Sequence, residues 1–89
     1  MLRSTITISN RLGLHARASA KLTKLCGAFA SDVFLSRNDR RVNAKSIMGV
    51  MMLAAGCGSE IAIEVSGPDE EHAMRALRDL IDDKFGEGE

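Results

Sequence analysis

Leu12-Gly13-Leu14-His15-Ala16-Arg17-Ala18 joins two segments of different period. Before it, Leu2, Ile6 and Ile8 fall on one side of an alternating run, the spacing of a half-buried strand. After it, Ala18, Leu22, Leu25 and Phe29 recur at helical intervals, with Cys26 beside them. A strand over residues 2–8, a glycine turn and a helix from about Ala16 to Gly27 are therefore expected. His15 falls where Ser, Thr, Asp or Asn ordinarily caps a helix. Giving up a good cap is the kind of local inconsistency that marks functional sites. The first N–H groups of a helix lack intrahelical partners and carry partial positive charge, a field that binds anions and above all phosphate. The same field opposes a positive imidazole, which keeps a ring nitrogen lone pair available as a nucleophile. Arg17, in the first turn, offers a planar fork for phosphate oxygens. The stretch reads as a histidine poised to accept a phosphoryl group. On the local sequence alone, a surface histidine at a loop end competes with that assignment.

Working outward, 89 residues make one small domain with core enough to fold unaided. The net charge is zero, but it is unevenly spread. Residues 1–45 hold nine Lys/Arg against two Asp/Glu, and residues 46–89 hold three against ten, so the halves carry +7 and −7. A basic patch around the first helix and an acidic last helix follow. The basic patch suits acidic partner proteins or phosphate; the alternative is that the halves neutralise each other across one surface. Cys26 and Cys57 form no C-x-x-C pair, and Cys26 falls on the apolar face of its helix as a small core residue. Leu2 is followed at once by Arg3, Ser4 and Thr5, unlike a signal peptide. The longest apolar run, Ile47 to Cys57, is far short of the roughly 20 residues a membrane span needs. A cytoplasmic protein is expected.

On the first helix, Arg17, Lys21 and Lys24 form a basic stripe running back from His15. Val33-Phe34-Leu35 and Arg41 to Ala44 read as two strands of a hairpin around Asn38-Asp39. Ser46 is a good N-cap for a short helix, Ile47 to Ala55, ended by Gly56. That helix has no polar face, and a domain this small can hardly bury all of it. Val50, Leu53 and Ala54 are expected in the core, with Met48 and Met51 turned outward as an adaptable docking surface. Gly49 inside the helix suggests close approach by a neighbour. Glu60 to Ser66 alternates cleanly, with Ile61, Ile63 and Val65 inward. Gly67-Pro68-Asp69 is a turn, and Asp69 is expected to cap a last helix whose stripe runs from Ala73 to Phe85. Residues 86–89 are expected to fray. The order β-α-β-β-α-β-α, with one-faced strands, predicts an α+β domain: an antiparallel sheet covered by helices on one side.

Asn10-Arg11-Leu12-Gly13-Leu14-His15-Ala16-Arg17 resembles the active-site signature of the HPr family, the histidine-containing phosphocarriers of the bacterial phosphotransferase system. Lys45-Ser46-Ile47-Met48-Gly49 resembles the family's second signature, around a regulatory serine. Spacing, element order and length agree from about residue 2 to residue 85. The resemblance implies an open-faced β-sandwich, a four-stranded antiparallel sheet with three helices on one face. It implies that His15 takes phosphate on Nδ1 from phosphoenolpyruvate-charged Enzyme I and passes it to an EIIA-type protein. Arg17 would steady the phosphate, together with the backbone of Ala16 and Arg17. Ser46 would be the target of HPr kinase/phosphorylase, and Ile47, Met48 and Met51 would meet partners, with Lys21 and Lys24 on the basic side. The protein would be a stoichiometric carrier, not a turnover enzyme, without cofactor or metal, and a monomer. One departure stands out: most members have proline after the active-site arginine, and this chain has Ala18. Alanine fits the first turn and leaves an extra N–H donor near the phosphate, so altered rigidity is expected, not lost chemistry.

A regulatory binding module of the same fold, acting through Ser46 and docking in a nitrogen-branch or carbon-regulation role, is the alternative. Retention of both His15 and Arg17 favours transfer. A nucleic-acid-binding role is disfavoured because the basic half lacks the aromatic platforms on which single strands stack. A metal site built from His15, Cys26, Cys57 and His72 is disfavoured because no two have ligand-pair spacing.

Overall fold

The computed structural model describes residues 1–88. The elements run β1 (Leu2–Thr7), α1 (Ala16–Gly27), β2 (Asp32–Arg37), β3 (Arg40–Asn43), α2 (Ile47–Met52), β4 (Glu60–Ser66) and α3 (Glu70–Asp82), followed by a 3-10 turn over Lys84–Gly86. The strands form one antiparallel sheet in the order β1-β4-β2-β3. Strand alternation gives this sheet one apolar face. Pairing aligns Ile6 with Ile61, Leu35 with Ile63 and Val33 with Val65, all buried. The three helices cover that face, and Leu22 and Cys26 of α1, Val50 of α2, and Leu77 and Ile81 of α3 are fully buried against it. Each large apolar side chain so buried contributes about 1.5–3 kcal/mol. Burial also pushes the Cys26 thiol up to about 12, so it behaves as a small apolar group. On the open face, Arg3 and Arg41 share the Glu64 carboxylate at 3.1 and 3.3 Å, and Arg41 stacks over Phe34.

Ends of elements depart from expectation in instructive ways. Gly27 does not stop α1 by a left-handed turn. It is the last helical residue, and the helix tightens beyond it as Ala28 N–H donates to Leu25 O at 3.0 Å. Helix α2 ends at Met52, three residues before the expected Ala55. The chain leaves it through Ala54 in the left-handed region (φ 51°), not through Gly56. Two carbonyls orphaned by that early end are met by arginines: Arg37 Nη1 donates to Leu53 O at 3.2 Å and Arg40 Nη1 to Met52 O at 2.8 Å. The turn swaps two alanines: Ala54, expected in the core, is exposed, and Ala55 is buried in its place. Gly49 is explained by close approach, since a Cβ there would lie 3.3 Å from Asn43 O.

Asp69 sits at the N-cap of α3 but makes no side-chain cap. Its carboxylate reaches across to the α1–β2 loop. It accepts from Ala30 N and Ser31 N at 3.0 Å each and from the Ser31 hydroxyl. The Ser31 hydroxyl, then the Ala30 amide, hold the Asp69 carboxyl below its ordinary range. The segment expected to fray from residue 86 is also tied down: Gly86 N–H donates to Asp83 O and Glu87 N–H to Lys84 O, at 3.0 Å each. Glu89 lies outside the described residues.

Candidate functional site

The turn before α1 is shaped by Gly13, at φ 65°. Its N–H donates to Asn10 O at 3.1 Å, and its own carbonyl accepts from Asn10 Nδ2 at 2.8 Å. A Cβ at this position would lie 2.5 Å from Ala55 O and 2.6 Å from Gly56 Cα, so only glycine lets the turn pack against the exit of α2. Leu14 N–H completes the junction by donating to Ala55 O at 2.8 Å. His15 then occupies the N-cap of α1 in extended conformation (φ −71°, ψ 178°), and its side chain makes no capping hydrogen bond. Ser19 N–H donates to His15 O at 2.9 Å. The N–H groups of Ala16, Arg17 and Ala18 are therefore the ones left without a helical partner.

The imidazole is partly exposed, its side chain 27% accessible, at an open concavity of about 580 Å³ lined by Arg11, Leu12, Arg17, Lys21 and Glu87. Arg17 is exposed at this rim and has no hydrogen-bond or ion-pair partner among the described residues. Lys21 Nζ donates to Phe85 O at 2.6 Å, so it both lines the concavity and holds the chain that follows α3. Lys24 is exposed farther along α1 and does not line the concavity. Two further residues complete the site: Asn10, which opens the signature stretch but was given no role of its own there, and Glu87, which falls in the segment expected to fray. His15 Nε2 lies 2.5 Å from Glu87 Oε2, and Glu87 Oε1 accepts from Asn10 Nδ2 at 2.9 Å. Asn10 is wholly buried. Its amide, ahead of the His15 and Lys21 contributions, holds the Glu87 carboxyl below the ordinary range. The sequence signal for Asn10 was a polar residue inside a glycine turn; Glu87 carried no local signal at all.

Beside this site, α2 packs against α1 and presents the apolar surface. Met48 is 68% exposed, Met52 56%, Met51 41% and Ile47 40%, while Val50 and Leu53 are buried. Leu12, 66% exposed, adds to the apolar area on the His15 side. Ser46 caps α2 as expected, its Oγ accepting from Gly49 N at 3.2 Å, and it is exposed. Among the described residues no group of three or more His, Cys, Asp or Glu could hold a metal ion. No helix among the described residues is long and apolar enough to cross a membrane.

A family model described as the PTS HPr component phosphorylation site matches residues 2–83, which include the Gly13 turn, His15 and Ser46. The chain belongs to the HPr family. The phosphocarrier protein HPr of Cupriavidus necator is 65% identical over 89 residues, with all of both chains covered. That of Neisseria meningitidis serogroup A is 58% identical, again over the whole of both. The crystal structure of an HPr from Thermoanaerobacter tengcongensis, with 44% identity and 98% of each chain covered, superposes with a TM-score of 0.94. The open-faced sandwich, with four antiparallel strands and three helices on one face, is thus the HPr fold. The matched region of the HPr family model ends at residue 83, so Glu87 lies beyond it.

Proposed function

We propose that this HPr-family protein carries phosphate on His15 Nδ1 between Enzyme I and an EIIA-type protein in the phosphoenolpyruvate-dependent phosphotransferase system. The observation that carries the proposal is the placement of His15. It is a partly exposed histidine at a helix N-cap with no capping bond, beside an arginine that has no partner among the described residues, in a chain matched by a phosphorylation-site family model. The chemistry follows from that placement. The Nδ1 lone pair forms the N–P bond as the bond between phosphorus and Enzyme I breaks, and no proton need leave that nitrogen. Arg17 and the N–H groups of Ala16 and Arg17 offset the charge on the three phosphate oxygens. Transfer to the EIIA-type protein reverses the step, so the protein acts stoichiometrically. Ile47, Met48 and Met51 supply the apolar part of a docking surface, with Lys21 and Lys24 meeting acidic partner groups. We place the protein in the cytoplasm and expect it to act as a monomer.

The exposed Ser46 hydroxyl supports a regulatory role as well, as the target of an HPr kinase/phosphorylase. A phosphate there would sit at the N-terminus of α2, directly beside the docking surface. Incubation with Enzyme I and labelled phosphoenolpyruvate tests the main proposal. Wild type should take up acid-labile phosphate and His15→Ala should take up none, with its fold intact. If His15→Ala still labels, His15 is not the acceptor and His72 becomes the candidate.

A further inference from the structure

We propose that Glu87 is the positioning residue of His15: its carboxylate holds the imidazole as the Nε2–H tautomer and so leaves the Nδ1 lone pair for phosphorus. This rests on His15 being the phosphoryl acceptor. A neutral imidazole has one N–H donor and one acceptor nitrogen, and an ionised carboxylate can only accept. The 2.5 Å contact of Glu87 Oε2 with Nε2 therefore requires the hydrogen on Nε2. Among the described residues Nδ1 makes no hydrogen bond, and the ring caps nothing. The anionic carboxylate also stands on the Nε2 side, so an incoming phosphoryl group meets least repulsion at Nδ1.

Three independent restraints put Glu87 there. Asn10, wholly buried, spends both hydrogens of its amide, one on Gly13 O and one on Glu87 Oε1. Phe85 is buried in the core, and its carbonyl is held by Lys21 Nζ. Between α3 and Glu87 the chain reverses through Lys84 (φ 55°), Phe85 (φ 57°) and Gly86 (φ 76°). Two consecutive side-chain-bearing residues in the left-handed region are uncommon, and such strain persists only where the surroundings over-determine it. Here the reversal delivers a carboxylate onto a histidine 72 positions earlier. Asn10, Glu87 and His15 thus form a chain of donor and acceptor in which each member fixes the next, the logic of an orienting carboxylate behind a catalytic imidazole.

The decisive variant is Glu87→Gln. Asn10 presents an amide N–H to this position, because its nitrogen is committed to Gly13 O. The glutamine oxygen should accept that hydrogen, which turns the glutamine NH2 toward Nε2. A donor at that place favours the opposite tautomer, with hydrogen on Nδ1. Glu87→Ala removes the restraint without imposing a new one. The experiment is 15N NMR of histidine-labelled protein above neutral pH, where two-bond couplings distinguish the tautomers, paired with initial rates of phosphorylation by Enzyme I. Wild type should show Nε2–H, Glu87→Gln should show Nδ1–H, and Glu87→Ala a mixture. Outer-shell partners that orient metal-bound histidines contribute on the order of 10- to 100-fold, and by the same orienting logic Glu87→Gln should lose phosphorylation rate in that range, with Glu87→Ala losing less. A purely structural role would move neither the tautomer nor this rank order. Overturning results are a wild-type ring with hydrogen on Nδ1, or a Glu87→Gln protein that keeps the wild-type tautomer and labels within twofold of the wild-type rate. Failure of wild type to label at His15 would sink the phosphocarrier proposal instead, and the couplings would still report whether Glu87 sets the tautomer.

Discussion

Replacing Gly13 by alanine separates backbone strain from close packing, because a second glycine serves as its control. Gly13 (φ 65°) and Gly58 (φ 88°) both lie at positive φ, where an alanine costs about 1–2 kcal/mol. At Gly58 the added Cβ meets nothing within 4 Å, so the strain is the whole cost. At Gly13 the Cβ would land 2.5 Å from Ala55 O and 2.6 Å from Gly56 Cα, and both neighbours are backbone. Relieving that overlap means shifting the α2 exit, at about 1–3 kcal/mol for overpacking. It also stretches the 2.8 Å bond from Leu14 N–H to Ala55 O, a contribution of about 0.5–1.5 kcal/mol. Gly13→Ala should therefore lose about 3–6 kcal/mol in all, against about 1–2 for Gly58→Ala. Beyond the strain the two variants share, Gly13→Ala loses about 1.5–4.5 kcal/mol more, and for a domain of this size 1 kcal/mol shifts Tm by about 4–8 °C, so Gly13→Ala should melt at least about 6 °C below Gly58→Ala. Thermal unfolding followed by circular dichroism at one pH and concentration reads this directly. If the two variants melt within about 3 °C of each other, the α2 exit yields freely and the close-approach argument fails.

Ser46→Asp should slow phosphorylation by Enzyme I relative to Ser46→Ala, through a raised apparent KM, because it puts charge beside Ile47 and Met48 while preserving the cap of α2. Equal labelling of the two variants would remove the electrostatic block, and a large loss of helix signal would replace it with a conformational one. Met48→Asp should change stability by no more than about 0.5 kcal/mol but weaken Enzyme I binding about tenfold, whereas Leu53→Asp, at a 3% exposed position, should cost more than about 4 kcal/mol and unfold the domain. Matching melting temperatures would mean that Met48 is core. Asp69 is held below its ordinary 3.8, first by the Ser31 hydroxyl, so its contribution is present above about pH 4 and is lost as pH falls through the folded value. Asp69→Asn should therefore lower Tm most at neutral pH, and the gap to wild type should close in acid; a gap that stays constant down the acid limb refutes the assignment.

Periodicity carried the element order and the sheet because those depend on burial, which leaves a period of two in β4 and a helical period in α1. The α1 start was legible because Ala16 follows a glycine turn. Ends of helices were less so, and each miss has a physical cause. Alanine in the left-handed region at Ala54 contradicts its propensity, and the arginines that make this end workable come from β2 and β3. Asp69 stands where a cap belongs, yet a buried loop at Ser31 competes for its carboxylate and wins. At the site, His15, Arg17 and Ser46 could be named from local spacing and resemblance. The Glu87 contact could not, since it depends on a strained reversal and a separation of 72 positions.

The strand order β1-β4-β2-β3 has a consequence for synthesis on the ribosome. β1 finds no partner until β4 exists, because Leu2 pairs with Val65 and Thr7 with Glu60. At about 5–20 residues per second, the first strand waits several seconds, alternating and unpaired, while the rest is made. The hairpin of β2 and β3 can close early, but it cannot template β1. Helix α1 can form in that interval with His15 already at its end, yet the imidazole gains its carboxylate only when Glu87 has cleared the exit tunnel. A nascent chain thus holds His15 at the start of its helix long before it holds the carboxylate that the folded structure sets against the ring.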